Sequence, residues 1–326
     1  MLKDTHNRIH NYLRISITDN CNLRCFYCMP EESYAFMPNR QLMQAEEIFE
    51  LAQLFVSQGV TKIRLTGGEP LVRKDAKEII RSLATLGVEL TITTNATRVH
   101  SYIDEFEAAN FRSVNVSLDT LQKEKFNLIT RRDQFDIVIN NIQLLLNRQI
   151  KVKVNVVVVK GLNDNELLDF IEWTKDTPIH VRFIEFMPFD GNHWKSDKLV
   201  TWQEMLAVIQ EQYEITPLEN APSDTSKKYQ INNHKGTFAV ISTMSAPFCS
   251  GCNRIRLTAD GKIKNCLFSQ EETDLLQALR SGKEVLPLIK KSILSKHREL
   301  GGQFSKQFEL IDADLLHNRS MIAIGG

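Results

Sequence analysis

Through its first two thirds the chain alternates short segments of strand character, at 12–18, 60–66, 89–95, 112–119, 151–158 and 180–186, with helical patterns at 43–57, 75–86, 99–108, 135–147 and 166–175. Each gap between strands is long enough for a crossover helix, so the strands are expected to be parallel and the repeat to be βα. Six such units predict an α/β protein built as a partial or complete βα barrel. Parallel strands covered on both faces read as unbroken apolar runs, and several of these do not. Leu13, Ile15 and Ile17 alternate with Arg14, Ser16 and Thr18; Ile63 and Leu65 with Arg64 and Thr66; Leu90 and Ile92 with Thr91, Thr93 and Asn95. Val114, Val116 and Leu118 alternate with Asn115, Ser117 and Asp119, and Val152, Val154 and Val156 with Lys153 and Asn155. Period-two geometry puts each polar set on one face. With the apolar face on the helices, the polar face lines a lumen shaped for a large polar ligand. The segment 180–186 alternates less cleanly and adds little.

A further helix is expected at 202–213, followed by the polar, turn-rich PLENAPSDTSKKY. That stretch marks a boundary between residues 1–216 and 217–326. Beyond it, 230–232 and 237–242 predict a hairpin, and two helical stretches follow at 274–281 and 284–296. Lys and Arg total 40, as do Asp and Glu. The zero formal charge argues against nucleic acid and anionic membranes as partners. No apolar stretch approaches the roughly 18 residues of a membrane span. Residues 1–14 carry no apolar run before a cleavage site, so a cytoplasmic location is expected.

The chemistry concentrates in two sets of three cysteines. Cys21, Cys25 and Cys28 stand at CxxxCxxC spacing directly after the first strand; Cys249 and Cys252 are joined, after 13 intervening residues, by Cys266. Groups of three cannot pair off internally, and a reducing compartment disfavours disulfides. Metal coordination accounts for them, and soft sulfur ligands select iron–sulfur clusters or zinc. Each set is one ligand short, which suits an open coordination position. An Asp-Gly turn in TADGK would fold Cys266 back toward Cys249 and Cys252. Arg254 and Arg256, two apart on a strand, point the same way, and paired guanidiniums beside a metal centre suit a phosphate-bearing ligand. A structural zinc or iron–sulfur site with two solvated arginines is the plainer alternative. Thr66-Gly67-Gly68-Glu69-Pro70 closes the second strand; its glycines allow close backbone approach, and Glu69 supplies a carboxylate.

The first triad, with Phe26-Tyr27 inside it and Met29-Pro30 after it, resembles the signature of the radical S-adenosylmethionine (SAM) superfamily, and the Gly67-Gly68-Glu69 element resembles that superfamily's GGE motif. Together YLRISITDNCNLRCFYCMP, KIRLTGGEP, NVSLD, VKVNVVVVKG, RFIEFMP, FCSGCNRIRLTADGK and the terminal IGG resemble the GTP-cyclising family that opens molybdenum cofactor biosynthesis. The resemblance implies an incomplete (βα)6 TIM-type barrel closed by a C-terminal α+β segment, and two [4Fe-4S] clusters, one on each triad, with S-adenosyl-L-methionine on the first. It implies that Tyr27, Gly68, Ser117 and Met187 contact S-adenosyl-L-methionine. Arg14, Arg64, Thr93, Lys153, Arg254 and Arg256 would hold GTP, with Arg182 a further candidate, and Gly325 and Gly326 would form a catalytic tail. The implied product is (8S)-3′,8-cyclo-7,8-dihydroguanosine 5′-triphosphate. The implied partners are a reducing protein such as a flavodoxin or ferredoxin and the next pathway enzyme, cyclic pyranopterin monophosphate synthase; the protein would be a monomer or homodimer. Ala96 and Asn7 replace glycines common in the family, which bears on local backbone. Two rivals are a radical SAM enzyme modifying peptides, which would usually carry more C-terminal cysteines, and a zinc-dependent nucleic-acid-binding protein, disfavoured by the neutral charge.

Overall fold

The computed structural model describes residues 1–31, 34–304, 307–316 and 318–325. The chain opens β1 (Tyr12–Ser16), α1 (Ala45–Ser57), β2 (Lys62–Thr66), α2 (Ala76–Ala84), β3 (Glu89–Thr94), α3 (Ile103–Ala108) and β4 (Ser113–Ser117). It continues through α4 (Lys123–Thr130), α5 (Phe135–Asn147), β5 (Lys151–Val158), α6 (Leu167–Asp176), β6 (His180–Glu185) and α7 (Trp202–Gln210). Every predicted strand and helix of this part is present. Among the described residues the added α-helix is α4, whose KEKFNLIT is short and carries too few apolar residues to show a helical period; it is capped by Arg131 in the left-handed conformation, φ 54°.

Beyond α7 come β7 (Ile215–Pro217), β8 (Lys227–Ile231), β9 (Thr237–Ile241), β10 (Arg254–Leu257), β11 (Lys262–Lys264), β12 (Thr273–Asp274), α8 (Leu275–Arg280), α9 (Leu286–Leu294) and α10 (Met321–Ile324). The strands β7 to β12 join β1 to β6 in one 12-stranded sheet in the order β12-β11-β10-β1-β2-β3-β4-β5-β6-β9-β8-β7. From β10 to β9 every neighbour is parallel; the outer pairs at both ends are antiparallel. The six-strand βα run is therefore extended on both sides by strands from the last third of the chain.

Alternation works as the sequence predicts. Leu13, Ile15, Ile63, Leu65, Ile92, Val114, Val116, Val154 and Phe183 are buried in one core with Phe55 of α1, Ile80 of α2, Phe106 of α3, Ile142 of α5 and Phe170 of α6. Each such side chain contributes about 1.5–3 kcal/mol on leaving water. α1 and α7 start at capping boxes: Gln44 with Glu47, and Thr201 with Glu204. The polar members of each strand are left on the other face. Parallel register aligns them across strands, Arg256 beside Arg14, Arg14 beside Arg64, Asn115 beside Lys153 and Asn155 beside Arg182.

Candidate functional site

The loop leaving β1 carries the first triad and leans on α4, where the amides of Arg24 and Phe26 donate to the carbonyls of Thr130 and Ile129 at 2.9 and 3.1 Å. The amides of Cys28 and Met29 both donate to the Cys25 carbonyl, at 2.9 and 2.8 Å. This double turn brings Cys25 and Cys28 onto one side of the loop. The thiols already have donors aimed at them: Leu23 N–H at 3.4 Å and Asn95 Nδ2 at 3.8 Å from Cys21 Sγ, and the Ile322 amide at Cys28. Burial pushes Cys21 up to about 11 and Cys28 to about 12, so a positive group among them would favour their thiolates. A bound metal centre supplies that charge. Among the described residues no three His, Cys, Asp or Glu side chains converge on a single ion; thiolates that each ligate a different iron of a cluster need not converge.

The glycines after β2 act through close approach. A Cβ on Gly68 would stand 2.5 Å from the Asn20 carbonyl and 2.6 Å from that of Asp19, and one on Gly67 2.5 Å from the Thr18 carbonyl. The amides of Gly68 and Glu69 donate to Thr18 and Asn20, both at 2.8 Å, so this turn is sewn to the loop of the first triad. Glu69 is held from three directions. Its wholly buried carboxylate accepts from Leu71 N–H at 3.0 Å, Thr94 Oγ1 at 2.7 Å and Asn95 N–H at 2.6 Å. It ties the β2 and β3 turns together. Tyr27 donates its hydroxyl to Asp119, which burial raises to about 6.

The polar sheet face opens into a cavity of about 390 Å³ lined by Arg14, Arg64, Lys153, Arg182, Arg254 and Arg256, and by all three thiols of the second triad. Its wall holds eight Lys and Arg and one acidic residue, Asp224, itself paired with Lys228 at 2.6 Å. Among the described residues, none of those six predicted cations has a carboxylate at ion-pair distance. Arg14 Nε, Arg182 Nε and Nη2, Asn115 Oδ1 and Asn155 Oδ1 are buried without a hydrogen-bond partner. Such atoms are costly unless a ligand completes them. Burial, reinforced by neighbouring cations, lowers Arg182 to about 9, Arg256 to about 10 and Lys153 to about 8, and takes Arg14 well below its ordinary value. Tyr12, between Arg64 and Arg14, is raised by burial but lowered more by those cations, to about 7. A wall of unpaired cations is electrostatically unfavourable alone and complementary to a polyanion.

The second triad forms where the β10–β11 hairpin meets the loop after β9. That loop is held by Glu185 at the end of β6, fully buried, accepting from Met244 N–H at 2.7 Å and Ser245 N–H at 3.0 Å. The chain terminus enters the same region. Arg256 Nη1 donates to the Gly325 carbonyl at 2.9 Å. Gly325 has φ 85°, and a Cβ on it would lie 2.7 Å from Thr66 Oγ1, so only glycine seats there. Gly326 lies outside the described residues.

The structure thus gathers Arg14, Arg64, Lys153, Arg254 and Arg256 with Cys249, Cys252 and Cys266, and adds Met187 to the same wall. Arg182, the further candidate, also belongs there. Thr93 does not line the cavity; its Oγ1 accepts from Arg64 Nη1 at 3.4 Å. Tyr27, Gly68, Ser117 and the first triad lie outside that lining. Lys62, Tyr12, Asn115, Asn155 and His180 were not singled out as site residues and do line it. Strand alternation held the signal for all but His180. The supposed boundary also contributes: Ser223 to Ser226, between β7 and β8, form part of the wall, and Arg254 Nη2 donates to the Ser223 carbonyl at 2.9 Å.

Residues 15–174 match the family model of the radical SAM superfamily, and residues 179–301 match Molybdenum Cofactor Synthesis C. The fold and thiol loop thus define a radical SAM protein. Over 335 residues the chain is 45% identical to the mitochondrial GTP 3′,8-cyclase of Arabidopsis thaliana, covering all of this chain and 84% of that protein. It is 40% identical to the GTP 3′,8-cyclase of Listeria monocytogenes, covering 91% of each. The chain belongs to the GTP 3′,8-cyclase family. It spans about half the length of several other relatives, such as human molybdenum cofactor biosynthesis protein 1, 43% identical over 99% of this chain and 51% of that protein. Among solved structures, Streptococcus suis SuiB has a TM-score of 0.62 at 16% identity, covering 91% of this chain and 68% of that one; this likeness speaks to fold alone. No helix among the described residues is long and apolar enough to cross a membrane.

Proposed function

We propose that this chain cyclises GTP to (8S)-3′,8-cyclo-7,8-dihydroguanosine 5′-triphosphate as the first step of molybdenum cofactor biosynthesis. The observation that carries the reading is the unpaired cation wall, with its orphaned buried donors, opening directly on a second thiol triad. In this reading the curved sheet is an incomplete (βα)6 barrel, with residues 1–216 forming the radical-generating part and 217–326 the cluster- and substrate-holding part. Cys21, Cys25 and Cys28 would hold one [4Fe-4S] cluster and Cys249, Cys252 and Cys266 the other; two half-buried sets of soft donors fit such groups. When bound, the first cluster and S-adenosyl-L-methionine supply the 5′-deoxyadenosyl radical that begins the reaction.

The protein's own part is positioning and charge. Arg14, Arg64, Lys153, Arg182, Arg254 and Arg256 receive the triphosphate, their forked donors matching its oxygens. Gly68 keeps the β2 turn against the first triad, while Tyr27, Ser117 and Met187 border the S-adenosyl-L-methionine side. Gly325, seated on Arg256, brings the tail to the substrate, with Gly326 beyond it. An external reducing protein of the flavodoxin or ferredoxin type supplies electrons, and the product passes to cyclic pyranopterin monophosphate synthase.

The test is anaerobic reconstitution with iron and sulfide, then GTP, S-adenosyl-L-methionine and a reductant. About eight irons per chain, 5′-deoxyadenosine and a cyclised nucleotide are expected. Formation of 5′-deoxyadenosine with GTP left intact, while an added peptide is modified, would replace this reading with the peptide-modifying one.

A further inference from the structure

Against the second triad packs a segment that the proposed reaction does not use; its Leu300 reaches the cavity wall, whereas Lys296 does not line the cavity. Lys296 lies two residues beyond the end of α9 and is buried, 3% exposed. Its ammonium donates to Cys252 Sγ at 3.5 Å and to the Arg254 carbonyl at 2.9 Å. Among the described residues no carboxylate lies within ion-pair distance of it. A buried ammonium without a counter-charge is strongly unfavourable, so this arrangement makes sense where the sulfur beside it bears negative charge.

The backbone of the same segment turns toward the same triad. The Leu300 amide donates to Cys249 Sγ at 3.5 Å, and to do so Leu300 adopts φ 45°, a left-handed conformation unusual for a bulky apolar residue. Gly301 follows at φ 66°, where a Cβ would lie 2.4 Å from the backbone of Phe268. Strain at a residue such as Leu300 persists only where the surroundings enforce it, whereas Gly301 takes its positive φ without cost. Enforcement comes from Arg8, whose guanidinium donates to the carbonyls of Cys249 at 2.9 Å, Arg298 at 2.8 Å and His297 at 2.8 Å. Arg8 is itself held by Asp4 at 2.6 Å. The N-terminal residues thus clamp 297–298 onto the loop of Cys249.

We propose that Lys296, with the strained turn at Leu300, is a positioning and charge-setting element for the second cluster, donating hydrogen bonds to two of its three sulfur ligands and raising its reduction potential. The inference rests on the reading of Cys249, Cys252 and Cys266 as cluster ligands. A cluster on three thiolates carries net negative charge, which grows on reduction. A fixed ammonium and N–H···S bonds favour the more negative, reduced state. Lys296 acts from outside the cavity lining, so its charge is set on the sulfur without occupying the space open to substrate.

The experiment uses the full-length chain with Cys21, Cys25 and Cys28 replaced by Ala, so that only the second cluster is present, reconstituted with iron and sulfide. Its midpoint potential is read by electron paramagnetic resonance during redox titration. Lys296→Met is expected to lower the potential, and Lys296→Arg to keep it near the parent value. Selective loss of iron from the Met variant but not the Arg variant, with unchanged circular dichroism, also supports a charge held for the cluster. Equal potentials in parent and Met variant, or equal shifts in Met and Arg variants, would overturn the inference and leave the cluster reading intact. Failure of the parent triple variant to take up any iron would instead overturn the cluster reading, and this inference with it.

Discussion

Arg182 has two guanidinium nitrogens that meet nothing in the protein, and burial together with Arg64 lowers it to about 9. Such a residue costs the ligand-free chain stability. Arg182→Met is expected to stabilise the ligand-free chain by about 1–3 kcal/mol, the scale of an unsatisfied buried polar group, while weakening GTP binding about tenfold or more; calorimetric unfolding and nucleotide titration check the two signs. Lys153 lies at about 8 against an ordinary 10.5. Below about 8 it is protonated in both states and its burial cost is fully felt. From there to 10.5 the folded state sheds the proton first, so its destabilising contribution fades as pH rises. GTP binding runs the other way: affinity should fall as Tyr12 loses its proton near 7 and fall further as Lys153 loses its own near 8. Binding isotherms across pH 6–9, a span of about three units around those two values, should show Tyr12→Phe moving the onset upward and Lys153→Met removing the later part. Arg14, Arg64 and Lys153 were legible from alternation because period two admits no other side. Arg182 was harder to read because Ile184 interrupts the polar series. No pattern of letters reveals which nitrogens stay unpartnered, since that depends on what every neighbouring strand brings.

Among the elements, the C-terminal tail depends most on remote contacts. Arg319 forks onto Asp260 with two bonds of 2.8 Å and reaches Glu272 at 2.5 Å; burial opposes its charge, but the two carboxylates outweigh this and raise its pKa. These bonds fasten the tail so that Ile322 meets Cys28 and Gly325 meets Arg256. Arg319→Ala should loosen α10 and speed amide exchange at Ile322 and Gly325 about tenfold or more, as expected for losing a charge-assisted pair of about 1.5–3 kcal/mol, with exchange in α5 unchanged. Equal exchange in both proteins would mean that the tail is held by its apolar contacts. Helices and parallel strands were legible because their periods repeat over many residues. α4 and the tail were not, being short and held by partners far along the chain. The two substituted glycines did leave a trace: Ala96 and Asn7 stand at φ 61° and 66°, left-handed positions where glycine costs least.

For the molecule as a whole, the division at 216 divides one continuous sheet. β10 covers the open edge of β1 and β9 that of β6, so a chain ending at 216 would leave two parallel edges bare, an arrangement prone to association. That fragment is expected to aggregate, whereas the full chain should unfold in urea with coincident fluorescence and circular dichroism transitions. A monomeric fragment with native-like circular dichroism would show two independent units. The polar 217–229 stretch reads locally as a linker, and nothing in its composition reveals that the strands beyond it return to both edges. The closure of β10 on β1 also has a consequence in time. Asn253 Nδ2 bonds Asn11 Oδ1 at 2.7 Å across 242 residues. At roughly 5–20 residues per second, a ribosome makes the two about 10–50 s apart. During that interval the first triad has been synthesised, but Arg254, Arg256 and the second triad have not. The nascent chain therefore carries the three thiols of the first triad before the last cations of the cavity wall and the second triad exist, and the order of synthesis keeps the two cysteine sets apart until β10 closes on β1.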